Sequence, residues 1–203
     1  MLNCADDNEA RLVGKISRNL EYSHEVHGES FYKTAVQSER ISDASDEIIV
    51  TVSERLISDI ELEIGTYVEI LGQFRSYNNY SGEGSKLILT LFAREINISY
   101  EDCENEIFLN GYICKPAIFR TTPFGREIAD ILLAVNRAYG KSDYIPCIAW
   151  GRNAKFAQSL PVGTNIKVWG RMQSRNYQKK LDDETVIEKT AYEVSISKLE
   201  IVN

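Results

Sequence analysis

The hydrophobic positions of this chain follow the period of two that is typical of β-strands, and helical spacing is rare. The runs Ile166-Lys167-Val168 and Val194-Ser195-Ile196-Ser197 alternate between apolar and polar residues, and Val, Ile, Tyr and Thr are concentrated in such runs. One short helix fits at 153–159, before a turn at 161–163. In the second half of the chain the pattern predicts five strands, at roughly 105–116, 126–138, 143–151, 164–177 and 185–201.

An internal repeat divides the chain of 203 residues into two units. The segment 8–14 (NEARLVG) resembles 105–111 (NEIFLNG), and 65–72 (GTYVEILG) resembles 163–170 (GTNIKVWG), at offsets of 97 and 98 residues. The boundary falls in the short acidic stretch 99–104. We therefore predict two domains, 1–100 and 101–203, and strands in the first near 9–22, 29–41, 46–54, 66–77 and 86–98.

The order of these elements predicts the fold of each unit. Five strands with a helix between the third and the fourth are the order of the OB-fold, a small Greek-key barrel. Gly111 and Gly170 lie inside strand patterns, where glycine marks bulges or tight bends at barrel corners. The predicted fold class is all-β, with two tandem five-stranded OB-fold barrels, each with a short helix between strands three and four.

The stretch 119–150 combines a hairpin pattern with aromatic and cationic residues. A turn at 122–125 precedes the apolar run 128–135, and a polar tip at 140–143 separates Tyr139 from Tyr144. Aromatic rings interleaved with Lys and Arg are what a groove for a single-stranded nucleic acid requires. From spacing alone, the two tyrosines beside the turn are also consistent with ordinary cross-strand packing.

The charge of the chain is unevenly distributed. The formal net charge of −7 disfavours a polyanionic partner, because phosphate contacts need positive charge. Residues 1–100 carry 9 Lys and Arg against 17 Asp and Glu, whereas residues 101–203 carry 14 against 13. The second half is therefore the better candidate for binding a nucleic acid, since local patches matter more than the total.

Several other functions find little support in the sequence. The four cysteines have no C-x-x-C spacing, and the two histidines, His24 and His27, have no ligand pattern around them, so we predict neither a metal site nor a cofactor. No apolar run reaches the ~20 residues that span a bilayer, and the acidic N-terminus lacks a signal peptide, which makes the cytoplasm the default location. Phosphate-binding loops and nucleophile elbows are absent, so we predict that the protein is not an enzyme.

The second unit closely resembles the OB domain of bacterial single-stranded DNA-binding proteins, a likeness that extends over essentially all of 105–203. The matching positions share the spacings of that family. They are Asn105, Leu109 and Gly111; Phe119-Arg120-x-Thr122-Pro123-x-Gly125; 133–137 (LAVNR); 149–154 (AWGRNA); Leu160-Pro161-x-Gly163; and Gly170-Arg171-Met172-x-Ser174-Arg175-x-Tyr177.

The resemblance implies that bases stack on four aromatic positions, Tyr139, Tyr144, Trp150 and Tyr177. It places Tyr177 in a loop after strand four. Trp150 ends an apolar run and is also consistent with a core position, and Trp169 is consistent with either stacking or subunit packing. Around the four rings we expect a rim of cations that follows the phosphates, formed by Arg137, Lys141, Arg152, Lys155, Arg171, Arg175, Lys179 and Lys180.

The first unit matches the family less well. Its counterpart of the Trp150 region, 52–55 (VSER), has no aromatic residue, and only Tyr77 and Tyr80 resemble the binding loop. We expect a degenerate OB-fold that serves structure and oligomerisation. The acidic C-terminal tip with which the family recruits partner proteins has no counterpart after 198–203, which favours a specialised role.

The sequence thus predicts sequence-independent binding of single-stranded DNA in replication, recombination or repair. Because the family works with four OB-folds per assembly, a two-domain chain is expected to form a homodimer, with replication or recombination proteins as possible partners. The alternative is an OB-fold adaptor of a primosome or mobile-element complex that acts through protein contacts. A third hypothesis is an RNA-binding module.

Overall fold

The computed structural model describes residues 6–40, 42, 44–79, 87–180 and 186–202, and within these ranges the chain is almost entirely β-structure. The first half contains β1 (Asn8–Ile16), β2 (Glu21–Val26), β3 (Glu29–Glu39), β4 (Ser45–Ser53), α1 (Glu54–Ile57), β5 (Tyr67–Asn78) and β6 (Leu87–Ile98). The second half contains β7 (Glu104–Ile113), β8 (Ile118–Thr121), β9 (Glu127–Arg137), β10 (Lys141–Trp150), α2 (Arg152–Gln158), β11 (Asn165–Lys180) and β12 (Val186–Ile201).

All of these strands belong to one continuous hydrogen-bonded sheet, and the two halves meet at its centre. The order is β2-β3-β4-β6-β5-β1-β7-β11-β12-β10-β9-β8. β1 and β7, the two copies of the repeated motif, pair antiparallel with Ala10 opposite Ile107 and Leu12 opposite Asn105. The internal repeat therefore folds into two halves that are joined through their first strands.

Within each half the strand pairings return to the strand from which they start. β7 pairs with β9 and with β11, while β10 pairs with β9 and runs parallel to β12, which completes the circuit through β11. The first half repeats this circuit through β1, β3, β4, β6 and β5. A short helix separates the third strand of each circuit from the fourth. The all-β prediction is confirmed.

The structure adds one strand to the five predicted in each half, β2 in the first and β8 in the second. The predicted first strand, 9–22, covers nearly all of β1 and only the first two residues of β2, and β8 was not predicted at all. Most of β2 is exposed, so its residues show no alternation between apolar and polar positions that could separate it from β1. β8 has only four residues, which is too short for a period to be recognised.

Glycine permits the close approaches on which this sheet depends. Gly170 lies at the register shift between β11 and β12, as predicted, and a Cβ there would meet the Ser195 carbonyl oxygen at 2.1 Å. Gly111 lies where β7 approaches β9, and its Cβ would meet the Ala134 carbonyl oxygen at 2.6 Å. Any side chain at these positions would push paired strands apart.

A paired asparagine motif explains why the repeat begins with Asn-Glu. The Asn105 side chain donates to the Met172 carbonyl at 2.8 Å and accepts from the Met172 amide at 2.9 Å. Asn8 makes the same two bonds to Phe74, at 2.8 and 2.9 Å. Each asparagine thus satisfies backbone groups that the strand ladder leaves without a partner, just beyond a register shift. Among the described residues no helix has the length and apolar character needed to cross a membrane.

Candidate nucleic-acid interface

The hairpin β9–β10 holds the first of the predicted stacking residues at its tip. Arg137 pairs with Lys141, which leaves a loop of three residues. Tyr139 in this loop has a φ of 62°, in the left-handed region, and its side chain is 97% exposed. Gly140 follows with a φ of 65°. The backbone therefore holds a tyrosine away from the rest of the protein in a conformation that L-residues adopt at a cost.

Two further rings share one face of β10. Asp143, Ile145 and Cys147 point into the protein, so Tyr144 and Trp150 lie on the opposite, outer face of the strand. Tyr144 is 48% exposed, and Trp150 is half-buried. Six residues of strand place the two positions about 20 Å apart.

The Trp150 indole is fixed by a hydrogen bond from its Nε1 to the Ser195 hydroxyl at 3.0 Å. Ser195 belongs to β12, the strand that runs parallel to β10. The ring is thus neither inside the core nor free to rotate, which suits a surface that must receive a flat ligand without losing much side-chain entropy.

Tyr177 lies within a strand, and its expected position in a loop was wrong. β11 continues to Lys180, and Tyr177 pairs with Lys189 of β12. The ends of β11 and β12 pair with each other beyond the core, where neither face of the strand needs apolar residues. The strand predicted from the apolar pattern therefore ended at 177, three residues before the end of β11. Tyr177 is 37% exposed, and the Arg175 guanidinium lies 5.9 Å from its ring centroid.

The predicted cations divide into several groups by their contacts. Lys141 is exposed at the hairpin tip, and Arg152 and Lys155 are exposed on α2, where Lys155 pairs with Glu127 at 2.9 Å. Arg175 lies 3.6 Å from Glu193 and remains half-exposed. The backbones of Lys179 and Lys180 complete β11, and their side chains lie outside the described part of the structure.

Arg137 and Arg171 lie instead at the junction of the two halves. Arg137 pairs with the buried Asp143 at 3.3 Å, and Arg171 pairs at 3.2 Å with the buried Asp46 of the first half. Burial lowers the pKa of Arg171, whereas the hydrogen bond that Arg40 donates to Asp46 raises the pKa of Arg40. Both guanidinium groups nevertheless stay charged. The first role of Arg171 is therefore structural.

The junction is built from the same contact used twice. Asp143 accepts the Ser76 amide at 2.8 Å, and the Ser76 hydroxyl accepts the Tyr144 amide at 2.7 Å. In the reciprocal contact, Asp46 accepts the Ser174 amide at 3.0 Å, and the Ser174 hydroxyl accepts the Glu47 amide at 2.9 Å. Glu47 thus occupies the place in the first half that Tyr144 holds in the second.

Some aromatic residues of possible functional importance were not singled out from the sequence. Phe124 is 93% exposed at the turn between β8 and β9, a position that the predicted turn at 122–125 already indicated. Phe92 of β6 carries the Arg75 guanidinium 3.8 Å from its ring centroid. Phe92 lies opposite Gln73 next to a register shift, as Ser195 lies opposite Arg171. The equivalence of Phe92 and Ser195 becomes visible only when the two halves are compared through the register of their strands.

Comparison with known proteins identifies the second half of the chain. The sequence profile described as the single-strand binding protein family matches residues 104–202. The second half of the chain is therefore similar to this family, as expected from the sequence. That similarity agrees with the prediction of a binding protein rather than an enzyme. Within the described residues, no group of three or more His, Cys, Asp or Glu could hold a metal ion.

The similar proteins include several from bacteria. The single-stranded DNA-binding protein of Bacillus cereus is 37% identical over 81 residues, which cover 36% of this chain and 48% of that protein. The single-stranded DNA-binding protein A of Bacillus subtilis is 37% identical over 81 residues, covering 36% of this chain and 47% of its own length. The match thus spans about half the length of these relatives.

Similarity to solved structures extends over both halves of the chain, further than the sequence similarity does. The wild-type single-stranded DNA binding protein from Thermus aquaticus matches 97% of this chain and 93% of its own, with a TM-score of 0.73 and 18% sequence identity. The two proteins therefore share a fold over both halves, including the half to which the family profile does not extend.

Proposed function

We propose that this protein binds single-stranded DNA without sequence preference, in replication, recombination or repair. Bases stack on Tyr139, Tyr144, Trp150 and Tyr177, and nearby cations contact the phosphates. Each circuit of strands is taken to be a five-stranded OB-fold barrel. The observation that carries the proposal is the placement of Tyr144 and Trp150 on one outer face of β10, below a hairpin tip that presents Tyr139 to solvent. Stacked aromatics contribute about 1–3 kcal/mol per base.

The phosphate contacts are assigned to the cations that face solvent beside these rings. Lys141 lies next to the Tyr139 tip, Arg152 lies two residues from Trp150, and Arg175 lies beside Tyr177. Lys155, Lys179 and Lys180 extend this rim. Arg137 reaches it from the junction. The domains 1–100 and 101–203 are taken to differ in role, and the first serves mainly structure and assembly. Two chains are taken to form a homodimer with four barrels.

Titration with oligo-dT tests this function directly. We expect the fluorescence of Trp150 to be quenched as bases stack on it. Because the net charge of the protein is −7, binding must depend on local cations. The logarithm of the binding constant should fall with the logarithm of the salt concentration at a slope of about −2 to −5, for about three to seven phosphate contacts. No binding at low ionic strength would favour the adaptor alternative, and equal competition by a matched RNA would favour the RNA-binding one.

The strained position of Tyr139 yields a second prediction. In Tyr139→Gly the left-handed conformation no longer costs energy, so we expect a free energy of unfolding that is unchanged or up to about 1 kcal/mol higher. The same change removes one ring, so oligo-dT affinity should fall about tenfold. Denaturant unfolding and fluorescence anisotropy measure the two effects. A loss of stability would contradict the strain assigned to the Tyr139 backbone, and binding as tight as that of the wild type would contradict the assignment of this tip to DNA.

A further inference from the structure

The end of β5, in the first half, lies against the start of β10 in the second. The Ser76 amide donates to Asp143 at 2.8 Å, and the Tyr144 amide donates to the Ser76 hydroxyl at 2.7 Å. These bonds fix the backbone of the first half beside a proposed stacking residue of the second. Tyr77 is the next residue along β5, and the buried Ser76 forces its side chain to the opposite side of the strand.

The Tyr77 ring is available to a ligand. Its side chain is 37% exposed, the same fraction as that of Tyr177. The Arg137 guanidinium, from the hairpin that carries Tyr139, lies 5.7 Å from the Tyr77 ring centroid. The first half thus contributes an aromatic ring and shares a cation at the proposed DNA-binding face.

A groove of about 320 Å³ lies between the two halves, next to the strand partner of Tyr77. Ile88, which pairs directly with Tyr77 and so shares its face of the sheet, lies on the wall from the first half. Tyr177 and Tyr192 line the groove from the second half, and Pro146 lies on the same outer face of β10 as Tyr144. An apolar groove with aromatic walls that opens onto the stacking face is suited to a nucleobase.

The charges around the groove are compatible with a nucleic acid. Glu193 is the acidic residue among those lining it, and its carboxylate accepts the Gln173 side-chain amide at 2.8 Å and lies 3.6 Å from Arg175. Arg175 therefore offsets this charge on the side of the second half. β2, which carries Glu21 and Glu25 and no Lys or Arg, lies at the far edge of the sheet, away from the junction.

We propose that this groove, together with Tyr77, is a base-binding subsite shared by both halves, so that one DNA strand passes from the C-terminal half onto the N-terminal half. This inference rests on the proposed function and extends it. It assigns to the first half a direct contact with DNA, although that half has Glu47 and Ser53 in the places of Tyr144 and Trp150.

The test compares Tyr77→Ala with a matched control, using an oligo-dT of about 30 nucleotides, which is long enough for two OB-folds. Tyr77→Ala should bind about tenfold more weakly, and Tyr77→Phe should bind like the wild type. The control is Tyr67→Ala. Tyr67 lies on the same strand, is 36% exposed and has Lys15 Nζ 5.4 Å from its ring centroid. It is ten residues away, about 33 Å along the strand, and should leave affinity unchanged.

A double-mutant cycle supplies the second measurement. If one base or two adjacent bases contact both Tyr77 and Tyr177 across the groove, Tyr77→Ala in a Tyr177→Ala background should cost clearly less than tenfold. Equal affinities for Tyr77→Ala and Tyr67→Ala, with Trp150→Ala weakened, would overturn the shared subsite and leave the proposed function intact. Absence of oligo-dT binding by the wild type would instead overturn the proposed function itself. Thermal melting of each variant separates a loss of contact from a loss of folding.

Discussion

Asp46→Ala is expected to destabilise the protein by about 3–5 kcal/mol, the largest effect of any single change that we predict. The Asp46 side chain is 1% exposed and binds Arg40 at 2.5 Å and Arg171 at 3.2 Å. It also accepts the Ser174 amide at 3.0 Å across the junction. Removal of the carboxylate leaves two partly buried guanidinium groups side by side without a counter-charge, and breaking one side of a buried ion pair has a cost of that order.

Denaturant unfolding of matched variants measures this effect. Asp130→Ala is the control, because its pair with Arg120 at 2.8 Å is exposed on both sides and should contribute less than about 1 kcal/mol. Asp143→Ala should fall between the two, since Asp143 binds one arginine rather than two. If Asp46→Ala unfolds at the same denaturant concentration as Asp130→Ala, the junction does not hold the halves together in the way we describe.

The hairpin and the repeat could be predicted from the sequence alone. The hairpin is indicated by the alternation of neighbouring residues, and the repeat by the similarity of two segments at a constant offset. The run before Arg137 and the run after Lys141 alternate around a polar tip, and a period of two is enough to place Tyr144 and Trp150 on one strand. The bulge at Gly170 was likewise indicated by a glycine inside a strand pattern. Such features depend on neighbours within a few residues.

The junction could not be predicted in the same way. The partner of Asp46 is the Ser174 amide, 128 residues along the chain, and that contact exists only once β1 and β7 have paired. Arg171 was predicted to belong to the DNA-binding rim because the proposed barrel places it near the aromatic residues. Nothing local in the sequence indicates that its side chain turns toward Asp46 of the first half. The position of Tyr77 beside Arg137 depends on the same pairing.

The contribution of the first half also illustrates why position-by-position comparison of a repeat is incomplete. Ser53 replaces Trp150, which indicates loss of stacking at that position. The sheet nevertheless brings Phe92 to the site that corresponds to Ser195, the residue that holds Trp150. In the first half an aromatic ring thus lies on the strand next to the position equivalent to Trp150, and the strand register is what reveals it.

The double variant Tyr144→Ala/Trp150→Ala is expected to lose nearly all affinity for single-stranded DNA while keeping the fold. Each ring contributes about 1–3 kcal/mol through one stacked base. The two positions are about 20 Å apart on β10, so their effects should add, and affinity should fall at least about 30-fold. Both rings lie outside the core, so thermal melting should change little beyond the loss of the Trp150 hydrogen bond to Ser195.

The two tryptophans of the chain provide the control for this last prediction. The Trp169 ring has Phe108 at 5.1 Å and Lys198 Nζ at 4.4 Å, so its faces are already occupied by protein groups. Trp169→Phe should therefore keep both oligo-dT affinity and fluorescence quenching, whereas Trp150→Phe should keep most of the affinity and lose the quenching. The proposed interface is centred on the aromatic face of β10. If Trp169→Phe abolished the quenching and Trp150→Phe did not, the DNA would lie beside β7 and β11, and the proposal would be contradicted.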